Sequence, residues 1–272
     1  MKKKEIGGYI EFETFAGKLF HEKAIKLNCG RNCLRYVIRA KEIHRIWLPE
    51  LLCHVIDTTC REEGCYVEHY KVDHDFLPIL DDKIQDDWLY IVNYYGQLGN
   101  KEIVKLLKKN PNLIIDNTEA FFQRPVKGVD TFYSCRKFFG VSDGAYLYTD
   151  KILEEDFKID ESFERMRYLY GRYERSAEEF YSLYKENNER FESEQIKKMS
   201  LLTDNILHGI NYNNVKNKRT VNFIYLNERL KKYNKLNLVN PKGPYMYPFM
   251  INDGANIRKK LIRKKIYVPT LW

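Results

Sequence analysis

Between Ile43 and Asp116 short apolar runs alternate with amphipathic segments, and that alternation constrains the fold more than any other feature of the chain. Ile43 to Leu48 is predicted as a strand stopped by Pro49, Glu50 to Arg61 as a helix, and Cys65 to Tyr70 as a strand after Gly64. Trp88 to Val92, Lys101 to Lys109 and Leu113 to Asp116 repeat strand, helix, strand. Strand and helix in turn is the pattern of βαβ units and a largely parallel sheet covered on both faces. Upstream, Cys29-Gly30-Arg31-Asn32 leads into a helix predicted over Cys33 to Ala40, with Gly30 permitting a tight entry and the first-turn amides left to meet an anion.

The strand ends carry the chemistry. In an open α/β sheet the carboxyl ends of the strands face the ligand crevice. Leu113-Ile114-Ile115 ends in Asp116, Leu89 to Val92 ends in Asn93, and the strand Thr131 to Tyr133 runs through Ser134-Cys135-Arg136 into Lys137. A carboxylate, an amide and an amine are therefore expected at one crevice. Lys137 lies in an aromatic and apolar run that turns at Gly140 and at Asp143-Gly144 before a further strand, Ala145 to Tyr148. Partial removal from water disfavours the charged ammonium and makes such a lysine a candidate Schiff-base nucleophile.

The remainder bounds the protein. At 272 residues the chain can bury a substantial core. No apolar run approaches the ~18 residues of a membrane span, and a cytoplasmic protein is expected. The formal charge of +8 is spread largely over helices that also carry acids, and no nucleic-acid recognition motif accompanies it. Six cysteines at 29, 33, 53, 60, 65 and 135 show no paired CxxC spacing, so reduced packing thiols are expected and no metal site. His44, His54, His69 and His74 have no spacing suited to a triad or a metal.

Residues 1–20 are expected to form an arm. A charged, aromatic stretch from Glu161 to about Ser200 is predicted as helix broken near Asn187-Asn188, with Arg165, Arg167, Arg172 and Arg175 on a solvated or interchain face. Helices follow over Leu201 to Ile210 and Asn217 to Lys232. Beyond a boundary at Leu236 to Gly243, a strand at Tyr245 to Ile251, a basic helix at Asn256 to Lys265 and a strand at Ile266 to Val268 read as the opening of a second α/β layer that Trp272 leaves incomplete.

Taken together, GRNCLRY, IWLPELLC, VNYYG, IIDNTEAFF, SCRKFFGVSDGAYL, YMYPFM and IYVPTLW resemble the fold-type-I pyridoxal-phosphate proteins of the aspartate aminotransferase superfamily, nearest to the DegT/DnrJ/StrS sugar aminotransferases. The resemblance implies a three-layer large domain over 21–235 with a mostly parallel central sheet, and a truncated small domain over 236–272. It further implies pyridoxal 5'-phosphate as cofactor, an amino-acid donor and a nucleotide-linked keto-sugar as substrates in surface polysaccharide biosynthesis, and a homodimer. Lys137 matches the lysine that forms the internal aldimine and then moves protons, and Asp116 the aspartate on the pyridine nitrogen. Gly30, Arg31, Asn32 and Ser134 match phosphate-loop positions, with Arg136 adding charge, and Asn93 matches an asparagine that meets the phenolic oxygen. Two positions depart from the pattern. Glu119 stands where relatives carry glutamine, histidine or tyrosine, and Cys53 where relatives stack an aromatic ring, for which Trp47 or Phe121 are substitutes near in sequence. These departures also suit a second reading, a catalytically inactive protein of the same fold with a structural or protein-interaction role.

Overall fold

Eight strands and eight helices are assigned in the computed structural model, which describes residues 6–80, 84 and 87–270. In chain order they are β1 (Ile25–Leu27), α1 (Gly30–Lys41), β2 (Arg45–Pro49), α2 (His54–Glu62), β3 (Tyr66–Val72), β4 (Pro78–Ile79), β5 (Trp88–Val92), α3 (Asn100–Lys109), β6 (Leu113–Asp116), β7 (Asp130–Ser134) and β8 (Ala145–Tyr148). Helices α4 (Arg167–Glu174), α5 (Tyr181–Arg190), α6 (Leu201–His208), α7 (Tyr212–Leu230) and α8 (Gly254–Arg263) follow. The strands form one sheet in the order β1-β8-β7-β6-β5-β2-β3-β4. Its centre, β7 to β3, is parallel, while β8, β1 and β4 pair antiparallel at the edges. The alternation read from the sequence has become a mixed, mostly parallel sheet with helices on both faces.

Side chains alternate across a strand, so each strand feeds two cores. Tyr90 and Val92 of β5, Ile114 of β6 and Phe132 of β7 join the core beneath α1 and α2. Leu89, Ile91, Leu113 and Ile115 face the other way, toward Ile103 of α3. Tyr133 and Tyr146 join an aromatic cluster with Phe121, Phe138, Phe139 and Tyr212. Register brings Val92 opposite Asp116 and Asp116 opposite Phe132, so the strand ends are level. The same parity puts Asp116 and Ser134 on the α1 side of the sheet and Asn93 on the α3 side.

Several expected elements differ. Tyr245 to Ile251 and Ile266 to Val268 are not strands; no sheet forms among the described residues after Tyr148. The apolar run instead crosses the large body as a strap: Arg219 of α7 donates to the carbonyls of Pro244 and Tyr245, and the Gly243 amide donates to Thr220. None of the residues of α8 is buried. The aromatic stretch breaks between α4 and α5, not at Asn187-Asn188, because Phe180 folds back onto Gly171, where a Cβ would lie 2.3 Å from its ring. Asn187 lies within α5 and donates to the Ser142 carbonyl. Arg165 is not solvated but buried against Asp160 at 2.6 Å, with Arg167, Arg172 and Arg175 exposed. The arm carries no helix or strand over residues 6–19 and is tied to α6 through Asn205, which accepts from the Phe15 amide and donates to the Glu13 carbonyl. Residues 1–5 of the arm and the final Leu271 and Trp272 lie outside the described residues.

Candidate active site

A cavity of about 190 Å³ opens at the carboxyl ends of β5, β6 and β7 and the start of α1. Its walls include Gly30, Arg31, Cys53, Asp116, Ser134, Arg136 and Lys137, seven of the residues singled out from the sequence. It also lies where the strand order reverses between β2 and β5, the usual position for a ligand in an open α/β sheet. A cavity of ~150 Å³ accepts a benzene ring, so this one has room for a single substituted ring. A wider cleft of about 690 Å³ between Lys18–Lys23 of the arm, Arg124 and the start of α7 contains none of the predicted site residues.

One end of the cavity is built for an anion. Cys29 caps α1 without a side-chain hydrogen bond, so the first-turn amides point outward unclaimed by a cap. Arg31 is beside them, and its Nη1 is buried with no hydrogen-bond partner. Arg136 is held by a 2.7 Å bond to Asn188 and by the Phe191 ring, 4.5 Å from its guanidinium. Burial pulls Arg136 below the ordinary guanidinium value, and Arg31 adds to that as a second cation. An orphaned guanidinium nitrogen beside a second arginine, a helix start and the Ser134 hydroxyl is the donor set a phosphate requires. Gly30 is not forced by space: it begins the helix, and a Cβ there would meet only ordinary contacts at 3.5 Å. Asn32 is turned away, donating to Asn28 and to the Gln195 carbonyl.

The same walls carry the acid and the amine. Asp116, 7% exposed, accepts from the Tyr90 hydroxyl at 2.6 Å and from the Thr118 amide at 2.8 Å, which fixes both oxygens. The Lys137 ammonium bonds Glu119 at 3.1 Å and lies 5.3 Å from the centre of the Tyr245 ring. Glu119, 1% exposed, is held in turn by the Tyr95 amide at 3.0 Å. Tyr95 takes a left-handed conformation (φ 55°), followed by Gly96 at φ 74°, a strained turn that aims this N–H at the carboxylate. Burial alone pushes the Lys137 amine down, as the sequence suggested, but Glu119 and Asp116 outweigh it and the net direction is up from 10.5. The expectation that burial weakens the amine's preference for its charged form is therefore corrected: Glu119 and Asp116 turn the net direction upward.

The other assignments separate cleanly. Asn93 does not reach the cavity; its amide donates to Asn117 and Gln123 and its oxygen accepts from the Leu98 amide, as its parity on the strand dictates. Cys53 lines the cavity as the cap of α2. Neither substitute ring is there: Trp47 packs on the α3 side and bonds Asp87, and Phe121 sits in the aromatic cluster. Phe132 and Phe191 are the rings on the walls. Sequence reasoning missed these two, Tyr90 and Tyr245. Tyr90 was detectable as the one hydroxyl in β5 two residues before Val92, whereas Tyr245 arrives from 108 positions beyond Lys137 with no local signal. Asp143, part of the quoted motif, is structural: buried, it accepts from the Ser200 amide and hydroxyl at 2.8 and 2.7 Å and from Thr203 at the start of α6.

No family model matches the chain, and no curated protein matches it. Solved structures do. The sugar aminotransferase CalS13 from Micromonospora echinospora superposes with a TM-score of 0.58 at 12% identity, over 91% of this chain and 73% of that one. S. venezuelae DesV, solved in complex with a ketimine intermediate, gives 0.59 at 14% identity, over 89% and 67%. NtdA from Bacillus subtilis, with bound cofactor PMP, gives 0.57 at 11% identity, over 95% and 65%. At these identities the likeness establishes a shared fold, and this chain has the α/β fold of those aminotransferases.

Proposed function

We propose that the chain is a pyridoxal-phosphate-dependent aminotransferase, acting with an amino-acid donor and a nucleotide-linked keto-sugar in surface polysaccharide biosynthesis. The observation that carries the reading is that Lys137 and Asp116 share the walls of one ring-sized cavity with an unpartnered Arg31 nitrogen. The fold neighbours support the choice of chemistry, since two of them are described as a sugar aminotransferase and as a protein with bound PMP. The residues fit the cofactor's three functional ends. Arg31, Arg136, Ser134 and the start of α1 would hold its phosphate, Asp116 would keep the ring nitrogen protonated, and Lys137 would anchor it covalently. When bound, the cofactor supplies a ring that accepts the electron pair left as a proton leaves the donor's carbon.

The chain's own part is positioning and proton movement. Tyr90 and the Thr118 amide hold the Asp116 carboxylate in place on the cavity wall. Phe132 and Phe191 exclude water along the walls, which strengthens each charge interaction inside. Lys137, once released, is the group placed to take and return the proton. Residues 21–235 would form the cofactor-binding domain and 236–272 a small C-terminal region, in a cytoplasmic homodimer. One observation favours the second reading, an inactive relative: the ion pair with Glu119 holds the Lys137 amine as an ammonium.

The test is a spectrum of protein mixed with pyridoxal phosphate, followed by addition of glutamate or glutamine. Appearance of a visible band that the amino acid then bleaches supports the aminotransferase, with Lys137→Ala showing neither change. A band that no amino acid alters supports the inactive relative, and no band at all rejects the cofactor and with it the aminotransferase.

A further inference from the structure

Glu119 is more than a neighbour of Lys137. It is fully buried, yet its carboxylate has two directed partners: Oε1 meets the Lys137 ammonium at 3.1 Å and Oε2 accepts the Tyr95 amide at 3.0 Å. The amide is aimed by a left-handed residue, a conformation that persists only where its surroundings demand it. The strap closes the pair from the other side, with the Tyr245 ring over the ammonium and Arg219 pinning the Pro244 and Tyr245 carbonyls. The groups facing the amine are thus the carboxylates of Glu119 and Asp116 and the Tyr245 phenol. Arg31 and Arg136 stand farther along the same walls, and Arg219 lies behind Tyr245.

We propose that Glu119 is the positioning residue that stores Lys137 as an ammonium and takes its proton when the amine attacks an aldehyde, so that carbonyl capture at this site is gated by the buried ion pair. This deepens the reading of the cavity as a site for a phosphorylated aromatic aldehyde and rests on it. The balance is simple. One proton passes from Nζ to Oε1, the nitrogen lone pair forms the C–N bond, and the carbonyl π pair moves to oxygen. The amine's two remaining hydrogens leave with that oxygen as water, and the proton held by Glu119 returns to the nitrogen of the new C=N bond, restoring a charge pair with the carboxylate. The direction of the Lys137 shift agrees, being upward with Glu119 the largest raising influence.

Competitive amine labelling tests this without any cofactor. The protein is acetylated with acetic anhydride across alkaline pH, and the Lys137 peptide is quantified by mass spectrometry in wild type, Glu119→Gln and Tyr245→Phe. Glutamine keeps the shape and still accepts from Tyr95 while removing the charge. The labelling midpoint of Lys137 should fall by about one pH unit or more in Glu119→Gln, about a tenfold gain in reactivity below both midpoints, with far less change in Tyr245→Phe. A parallel arm measures borohydride-trapped pyridoxal phosphate, whose capture profile should shift by the same amount. Superimposable labelling profiles for wild type and Glu119→Gln overturn the proposal. A shifted labelling profile with no capture of the aldehyde in any variant upholds the ion-pair role and rejects the cofactor reading on which the gating rests.

Discussion

Lowering the pH below 6.5 forces a choice on His21, a residue that no motif or spacing singles out. Its ring is 0% exposed, 4.0 Å from the centre of Tyr133 and 4.8 Å from that of Phe121. Nε2 donates to the Phe121 carbonyl at 2.8 Å, because a carbonyl can only accept, and so Nδ1 accepts from the Tyr148 hydroxyl at 3.1 Å. Burial pulls its pKa down to about 3, with the Phe121 carbonyl opposing and Arg124 adding to the fall. Between the ordinary 6.5 and about 3 the unfolded chain binds a proton there and the folded protein does not. Stability must then drop as pH falls through that window, by about 1.4 kcal/mol per unit, or about 3 kcal/mol by about pH 4.5. Against a typical total of ~5–15 kcal/mol that is large enough to measure directly. Urea unfolding followed by circular dichroism at about pH 7 and about pH 4.5 should show the loss in wild type, and His21→Gln should lack about 3 kcal/mol of it. Parallel losses in the two proteins, or an imidazole whose NMR signals titrate near 6.5, would refute the reasoning.

Other outcomes follow from the same geometry. Arg31→Met should weaken binding of phosphate-bearing ring compounds about ten- to a hundredfold in a fluorescence titration, the worth of one charged hydrogen bond. It should leave the ligand-free protein at least as stable, since Nη1 gives up no partner; equal affinity for pyridoxal and its phosphate in wild type would contradict the anion site. Asp143→Asn replaces an acceptor of three buried donors and should cost about 2–3 kcal/mol in urea unfolding at an unchanged slope. A loss under about 0.5 kcal/mol, the ordinary surface value, would mean that Asp143 does not hold α6 to the sheet.

How much of this was readable beforehand depends on range. Leu113 to Asp116 declared itself because a run buried on both faces has no polar position until it ends, and the same holds for Trp88 to Val92. Asp116 and Lys137 reached one cavity because strand ends in a parallel sheet are level, a rule that needs no coordinates. Asn93 followed the rule by position and failed it by parity, one residue past Val92 and hence on the opposite face. The charge on Lys137 was misjudged for a different reason: burial is visible in an apolar run, but Glu119, 18 residues earlier, becomes its partner only when the β6 and β7 exits meet. Strands at Tyr245 and Ile266 were expected from apolar content alone, and an apolar run packs as readily as a strap when no neighbouring strand offers a ladder. His21 and Tyr245 meet Phe121, Tyr148 and Lys137 across a hundred residues or more, with no local signal to announce the contact.

Lys137, on the cavity wall it shares with Asp116, is proposed as the attachment point for a phosphorylated aromatic aldehyde. Borohydride reduction of the protein with pyridoxal phosphate, followed by peptide mapping, addresses it directly. A single major adduct is expected, on Lys137, and it should be lost in Arg31→Met at limiting aldehyde. Adducts scattered over the exposed lysines, with Lys137 unmodified, would contradict it.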